Sequence, residues 1–176
     1  MRVLRKFWNR GDLEDVLDHL ETIKEAATHD SLHLVVLADF FGAVELRGNG
    51  LCLDSCLRLM PLLEEMLIQA QRSGDLGSSG TLSPACSHVA MAVVRGFTSL
   101  IEAFGELIRD TCASFAPNAD IGVDLTRESR VNKCKACRQV MANVRKRIPA
   151  VKERLATEEK AVRSLTDLQE TLLKVM

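Results

Sequence analysis

Tyrosine is missing from the 176 residues, tryptophan occurs once, and aromatic residues make up only 4% of the chain. Single-stranded nucleic acids are held largely by stacking on aromatic side chains, so this chain is poorly equipped for that class of ligand. Prolines number only four, and no stretch alternates apolar and polar residues as a strand does, which argues against a sheet-based fold. No apolar run reaches the ~20 residues of a membrane-spanning helix. The longest apolar pattern carries Arg95, Glu102, Glu106 and Arg109, and no membrane span is expected. Residues 1–8 are basic without an apolar stretch behind them, so no targeting sequence is read there. The six cysteines stand singly or within helical patterns. They are expected as reduced core thiols of a soluble, cytoplasmic protein rather than as disulfide staples. Low complexity is confined to residues 73–83, expected as a flexible loop. Its three glycines have no strand before them and no Gly-Lys-Ser/Thr after them, so it is not a phosphate loop.

What remains is a composition rich in Leu, Ala, Glu, Val and Arg, which favours helix throughout. Val3, Leu4, Phe7 and Trp8 give one short apolar face before Gly11-Asp12 breaks it. Asp12 can cap a helix whose buried side is Leu13, Val16, Leu17, Leu20, Ile23 and Ala27. After a turn at His29-Asp30-Ser31, residues 32–44 are apolar nearly all round, so that helix should lie between neighbours or against a partner. Trp8, Phe40 and Phe41 are the candidate partner-binding side chains, because aromatics often anchor interfaces; core packing is the competing reading. Residues 47–50 stop the chain, and residues 51–72 resume a helical pattern in which Pro61 predicts a kink or short break. Ser83-Pro84 opens a long helix running to Phe115. A break over residues 117–124 follows, and Thr126 can cap the next helix. Pro149 allows one more break before a last amphipathic helix ending near Lys174. The expectation is an all-α single domain over residues 1–176, of six or seven helices, arranged as an irregular armadillo- or HEAT-like solenoid.

Charge is unevenly spread. From Arg127 to Arg154 ten Lys or Arg stand against Glu128 and Glu153, a net +8. The other residues carry 13 Lys or Arg and 22 Asp or Glu, a net −9, so the total of −1 conceals one basic helix on an acidic body. Such asymmetry points to an anionic macromolecular partner rather than a small substrate. By helical angle Lys135, Arg138, Arg145 and Lys146 fall on one side of the apolar stripe, with Lys133 and Arg147 on the other. Cys134-x-x-Cys137 lies on the stripe itself. Zinc would need two more ligands, from Cys52/Cys56 or Cys86/His88 in distant segments, and a redox pair would need a nearby helix amino terminus. The pair is therefore read as core, with no metal and no cofactor expected. His19, His29, His33 and His88 have no companion motif, and nothing argues for an enzyme.

The run from Gly122 through Leu125, Thr126, Arg127 and Glu128 to Cys134-Lys135-Ala136-Cys137 resembles the carboxy-terminal conserved domain of the katanin regulatory subunit. Trp8-x-x-Gly11-Asp12-Leu13 resembles a second hallmark near that domain's start. Ser129 stands where the family pattern has a Glu, and residues 73–83 are longer and richer in glycine than expected. The resemblance implies a non-catalytic regulatory and adaptor domain of a microtubule-severing complex. It would heterodimerise with the amino-terminal MIT bundle of the catalytic AAA ATPase subunit and act on microtubules in the cytoplasm, at centrosome, spindle pole or basal body. It also implies recruitment of spindle-pole or minus-end proteins. On that footing Arg127, Lys135, Arg138, Arg145, Lys146 and Arg147 are the candidate microtubule-binding residues. The alternative is a helical-repeat scaffold whose basic helix meets nucleic acid or an anionic membrane surface.

Overall fold

The computed structural model describes residues 6, 8–27, 31–44, 46, 51–73, 84–114 and 125–176. Expectations for Val3, Leu4 and Phe7, for His29 and Asp30 of the first turn, for residues 47–50, for residues 74–83 of the loop, and for Phe115 and the break at 117–124 lie outside these residues, while Ser31 and Ser73 are helical. The described residues form helices joined by turns, so the fold is all-α. A first helical stretch holds residues 8–10 (α1). It is followed by α2 (Leu13–Ala27), α3 (Ser31–Ala43), α4 (Leu53–Ser73), α5 (Pro84–Ala113), α6 (Leu125–Arg154) and α7 (Glu159–Val175).

Gly11 turns the chain from α1 into α2. Its φ of +80° is a conformation that L side chains rarely adopt. The turn is closed by hydrogen bonds from Gly11 N to Trp8 O (3.1 Å) and from Leu13 N to Gly11 O (2.8 Å). Trp8 is thereby laid edge-on against Phe40, with ring centroids 5.8 Å apart, and Phe40 meets Phe41 in the same manner at 5.4 Å. These three rings, expected to anchor a partner, are core residues: Trp8 is 5% exposed, Phe40 0% and Phe41 2%. The competing reading prevails because α3 is covered by α2 on one side and α5 on another. A helix apolar all round then needs no outside partner to bury it.

The long helix α5 packs against α3, α4, α6 and α7 and is the hub of the molecule. Two glycines let its neighbours come close. A Cβ at Gly96 would lie 2.8 Å from both Cδ atoms of Leu63 on α4, and one at Gly105 would lie 3.1 Å from Val175 on α7. Helix α4 packs in turn on α2, α5 and α6, and α6 on α7. Each helix therefore rests mainly on the next and the next but one in the chain.

Both internal prolines are carried through. Helix α4 continues past Pro61, and α6 continues past Pro149 to Arg154. A mid-helix proline removes one backbone hydrogen bond and costs about 3 kcal/mol. That cost is met by packing: Leu59, Met60, Leu62 and Leu63 around Pro61 are all buried, as are Ile148 and Val151 around Pro149. The break expected at Pro149 falls instead after Arg154, where residues 155–157 turn the chain into α7. Helix α6 also opens one residue ahead of Thr126, which sits inside the first turn rather than capping it.

Candidate functional site: the basic helix

Helix α6 buries Val131, Cys134, Cys137, Met141, Val144, Ile148 and Val151 on one stripe, the side chains that a 3.6-residue period brings into line. The two flanks of that stripe have different fates. On one side Lys133 Nζ pairs with Asp54 Oδ1 at 2.5 Å, near the start of α4. Further along, Arg147 Nε lies 3.8 Å from Glu64 Oε1, an ion pair in which Nε is buried without a hydrogen bond. At the far end Arg154 Nη1 donates to the backbone oxygen of Gln71. The partners ascend both helices together, so α4 and α6 run parallel, and these three cations form a seam that fixes their register. Arg147 thus belongs to the seam, half-buried against an acid, rather than to an open binding face.

The other flank carries Lys135, Arg138, Arg145, Lys146 and Lys152. Lys135, Arg138 and Lys146 are exposed, and Arg145 and Lys152 are half-buried. Arg138 Nη2 donates to the backbone oxygen of Met176 at the end of α7. Arg145, Lys146 and Lys152 make no ion pair among the described residues. Arg127 and Arg130 are exposed in the first two turns of α6 and line a cleft with Asp110, Thr111 and Ser114 of the α5 end. The predicted set is therefore divided: Lys135, Arg138, Arg145 and Lys146 share a face, Arg127 stands at the helix start and Arg147 is turned away. Lys152 was missed, because the expected break at Pro149 removed it from the helix.

Cys134 and Cys137 are wholly buried. Burial pushes the Cys137 thiol up to about 11, with the neighbouring Cys134 adding to the effect. Burial likewise raises Cys134, opposed by a hydrogen bond from Thr111. Cys56 of α4 is raised by burial first and then by Cys137, so it joins the same neutral sulfur cluster. Among the described residues, no group of three or more His, Cys, Asp or Glu is placed to hold a metal. Cys52 differs: it is exposed, and a hydrogen bond with the Ser55 hydroxyl holds its thiol below the ordinary range.

A second charged centre was not foreseen. Arg58 of α4 reaches Glu14 Oε2 (2.8 Å), Asp18 Oδ1 (2.5 Å) and Glu21 Oε1 (2.8 Å), one per turn along α2. The hydrogen bond from Arg58 holds the Glu21 carboxyl below its usual range. The i, i+4, i+7 row of acids was visible in the sequence, but nothing local announced the arginine some forty residues away.

Residues 83–171 match the family model of the con80 domain of katanin. The chain is 30% identical over 141 residues to the Katanin p80 WD40 repeat-containing subunit B1 of Danio rerio, covering 80% of this chain and 17% of that protein. The protein of the same name in Xenopus tropicalis is 27% identical over 76% of this chain and 16% of its own length. A homologue from Arabidopsis thaliana is 23% identical over 88% of this chain and 15% of its own. The chain thus spans under a fifth of the length of these relatives. No solved structure matches.

Proposed function

Because the chain belongs to the family of the con80 domain of katanin, we propose that it serves as a non-catalytic regulatory domain that binds microtubules through one flank of α6. The observation that carries this reading is the split of the basic helix. Three cations are used to seam α6 to α4, while on the other flank Lys135, Arg138 and Lys146 are exposed, with Arg145 half-buried beside them. Exposed like charges repel one another and are stabilised by an anionic counterpart, which the acidic surface of a microtubule supplies. Regulation of severing follows from joining the MIT domain of the catalytic AAA ATPase subunit, in the cytoplasm and on the microtubule, with spindle-pole or minus-end proteins as further partners. With Trp8, Phe40 and Phe41 in the core, the MIT surface is to be sought on other residues.

Lys135→Glu/Arg138→Glu/Lys146→Glu is expected to abolish co-sedimentation with microtubules at matched salt, with the helical circular dichroism and co-purification with the MIT domain intact. Wild-type binding should weaken steeply as salt rises, since exposed charges are screened over about 8 Å at physiological ionic strength. Undiminished pelleting of the triple variant would remove α6 from the microtubule reading. Failure of the chain to co-purify with the MIT domain would remove the adaptor role.

A further inference from the structure

Cys52 stands just ahead of α4 and closes its first turn. Its carbonyl accepts a hydrogen bond from Cys56 N at 3.2 Å, so the two cysteines are one turn apart on the same side of the helix. At ~1.5 Å of rise per residue their Cα atoms stand ~6 Å apart, inside the roughly 4.4–6.8 Å that a disulfide spans. Helical side chains lean toward the amino end, which tips the Cys56 thiol back toward Cys52. Cys52 is exposed, whereas Cys56 is wholly buried. The Ser55 hydroxyl accepts from Cys52 N (3.4 Å) and lies 3.4 Å from Cys52 Sγ. With its oxygen taken by the amide, its proton is left for the sulfur, and the Cys52 thiolate is favoured. One thiol of the pair therefore meets solvent as the better nucleophile, and the other lies one turn further into the core.

We propose that Cys52 and Cys56 form an oxidation site at which a hydroperoxide converts the two thiols into a disulfide. The Cys52 thiolate attacks the O–H oxygen of the peroxide. An S–O bond forms, the O–O bond breaks, and the alkoxide or hydroxide that leaves takes up a proton. Sulfur gives two electrons to the peroxide and becomes a sulfenic acid. The Cys56 sulfur then attacks that of Cys52. The S–S bond forms as the S–O bond breaks, and the departing hydroxide leaves with the Cys56 proton as water. Burial, and after it Cys137 and Cys52, hold the Cys56 thiol protonated. That bars exchange with a mixed disulfide, which needs a thiolate, whereas a sulfenic acid condenses with a thiol. Peroxide thus reaches Cys56 by way of Cys52, while a disulfide reagent stops at Cys52. The bond forms beside Asp54, the acid that Lys133 of α6 holds at 2.5 Å, and does not depend on what α6 binds.

The test is treatment of the whole reduced chain with hydrogen peroxide at pH 7.5, followed by unfolding in the presence of N-ethylmaleimide. Two of the six thiols should be lost without uptake of oxygen and recovered with dithiothreitol. Trypsin cuts after Arg47 and Arg58, so the peptide of residues 48–58 holds both cysteines. It should carry no maleimide and be lighter by two hydrogens. Cys52→Ser, an exposed change, should slow the thiol loss at least tenfold. Cys56→Ser should instead leave a sulfenic acid at Cys52 that dimedone traps. Wild type needs no core substitution, and dimedone should trap less than a tenth of its Cys52. Six thiols still free after peroxide, or thiol loss that survives Cys52→Ser, would overturn the proposal. So would a sulfenic acid that persists at Cys52 in wild type, or a cross-link from residues 48–58 to Cys134 or Cys137.

Discussion

The cysteines make a clear case of environment setting chemistry one side chain at a time. Cys134 and Cys137 have the spacing of a ligand or redox pair, yet α6 turns both into a core where burial keeps them protonated. Cys52, with no motif to recommend it, is exposed and has its thiolate favoured by Ser55. A thiol-reactive disulfide reagent at pH 7.5 is therefore expected to label Cys52 first. Cys56, Cys134 and Cys137 should react only on unfolding, since the thiolate is the attacking species. Labelling of Cys134 or Cys137 as fast as Cys52 in the native protein would contradict the packing. Burial of the pair was legible from its place on the stripe with Val131 and Met141. The Ser55 contact was not, because a helix N-terminal hydroxyl takes its partner from geometry rather than from sequence.

Among the helices, the stretches with an unbroken 3.6-residue period were readable almost to their ends. Val131, Cys134, Cys137, Met141, Val144 and Ile148 are all buried as that period requires. At Pro149 the expected break does not occur, and at Pro61 the helix continues without one; in both cases a local rule allows a break, but buried residues on both sides hold the helix through it. Pro149 is exposed, so its replacement disturbs no packing. Pro149→Ala should restore the missing backbone bond and raise stability by about 1–3 kcal/mol, read as a higher urea midpoint with an unchanged slope. A lower midpoint would mean that the ring itself is needed there. The flank of α6 that faces α4 was also beyond reach of local pattern. Helical angle separates Lys133 and Arg147 from Lys135 and Arg145, but only the fold says which side meets Asp54 and Glu64.

At the scale of the whole molecule, Arg58 ties the acidic body together with three ion pairs among the described residues. It is the junction of α2 with α4, and the three acids it gathers would otherwise repel one another along α2. Arg58→Met should lower stability by roughly 1 kcal/mol near pH 7, a modest figure because the carboxylates are largely exposed. The folded-state pKa of Glu21 is depressed. Its contribution is therefore fully present above about pH 5 and is lost as pH falls through the depressed value. Thermal melts of wild type and Arg58→Met should accordingly converge as pH drops from 6 to 3. Curves that stay parallel would mean that the triad does not hold α2 in place. The single tryptophan offers a direct view of this region. With no tyrosine in the chain, near-ultraviolet emission comes essentially from one indole, sealed against Phe40 and distant in sequence from the basic helix. Light from Trp8 therefore meters the packing around Phe40: a shift of its emission to longer wavelength reports water reaching that one ring.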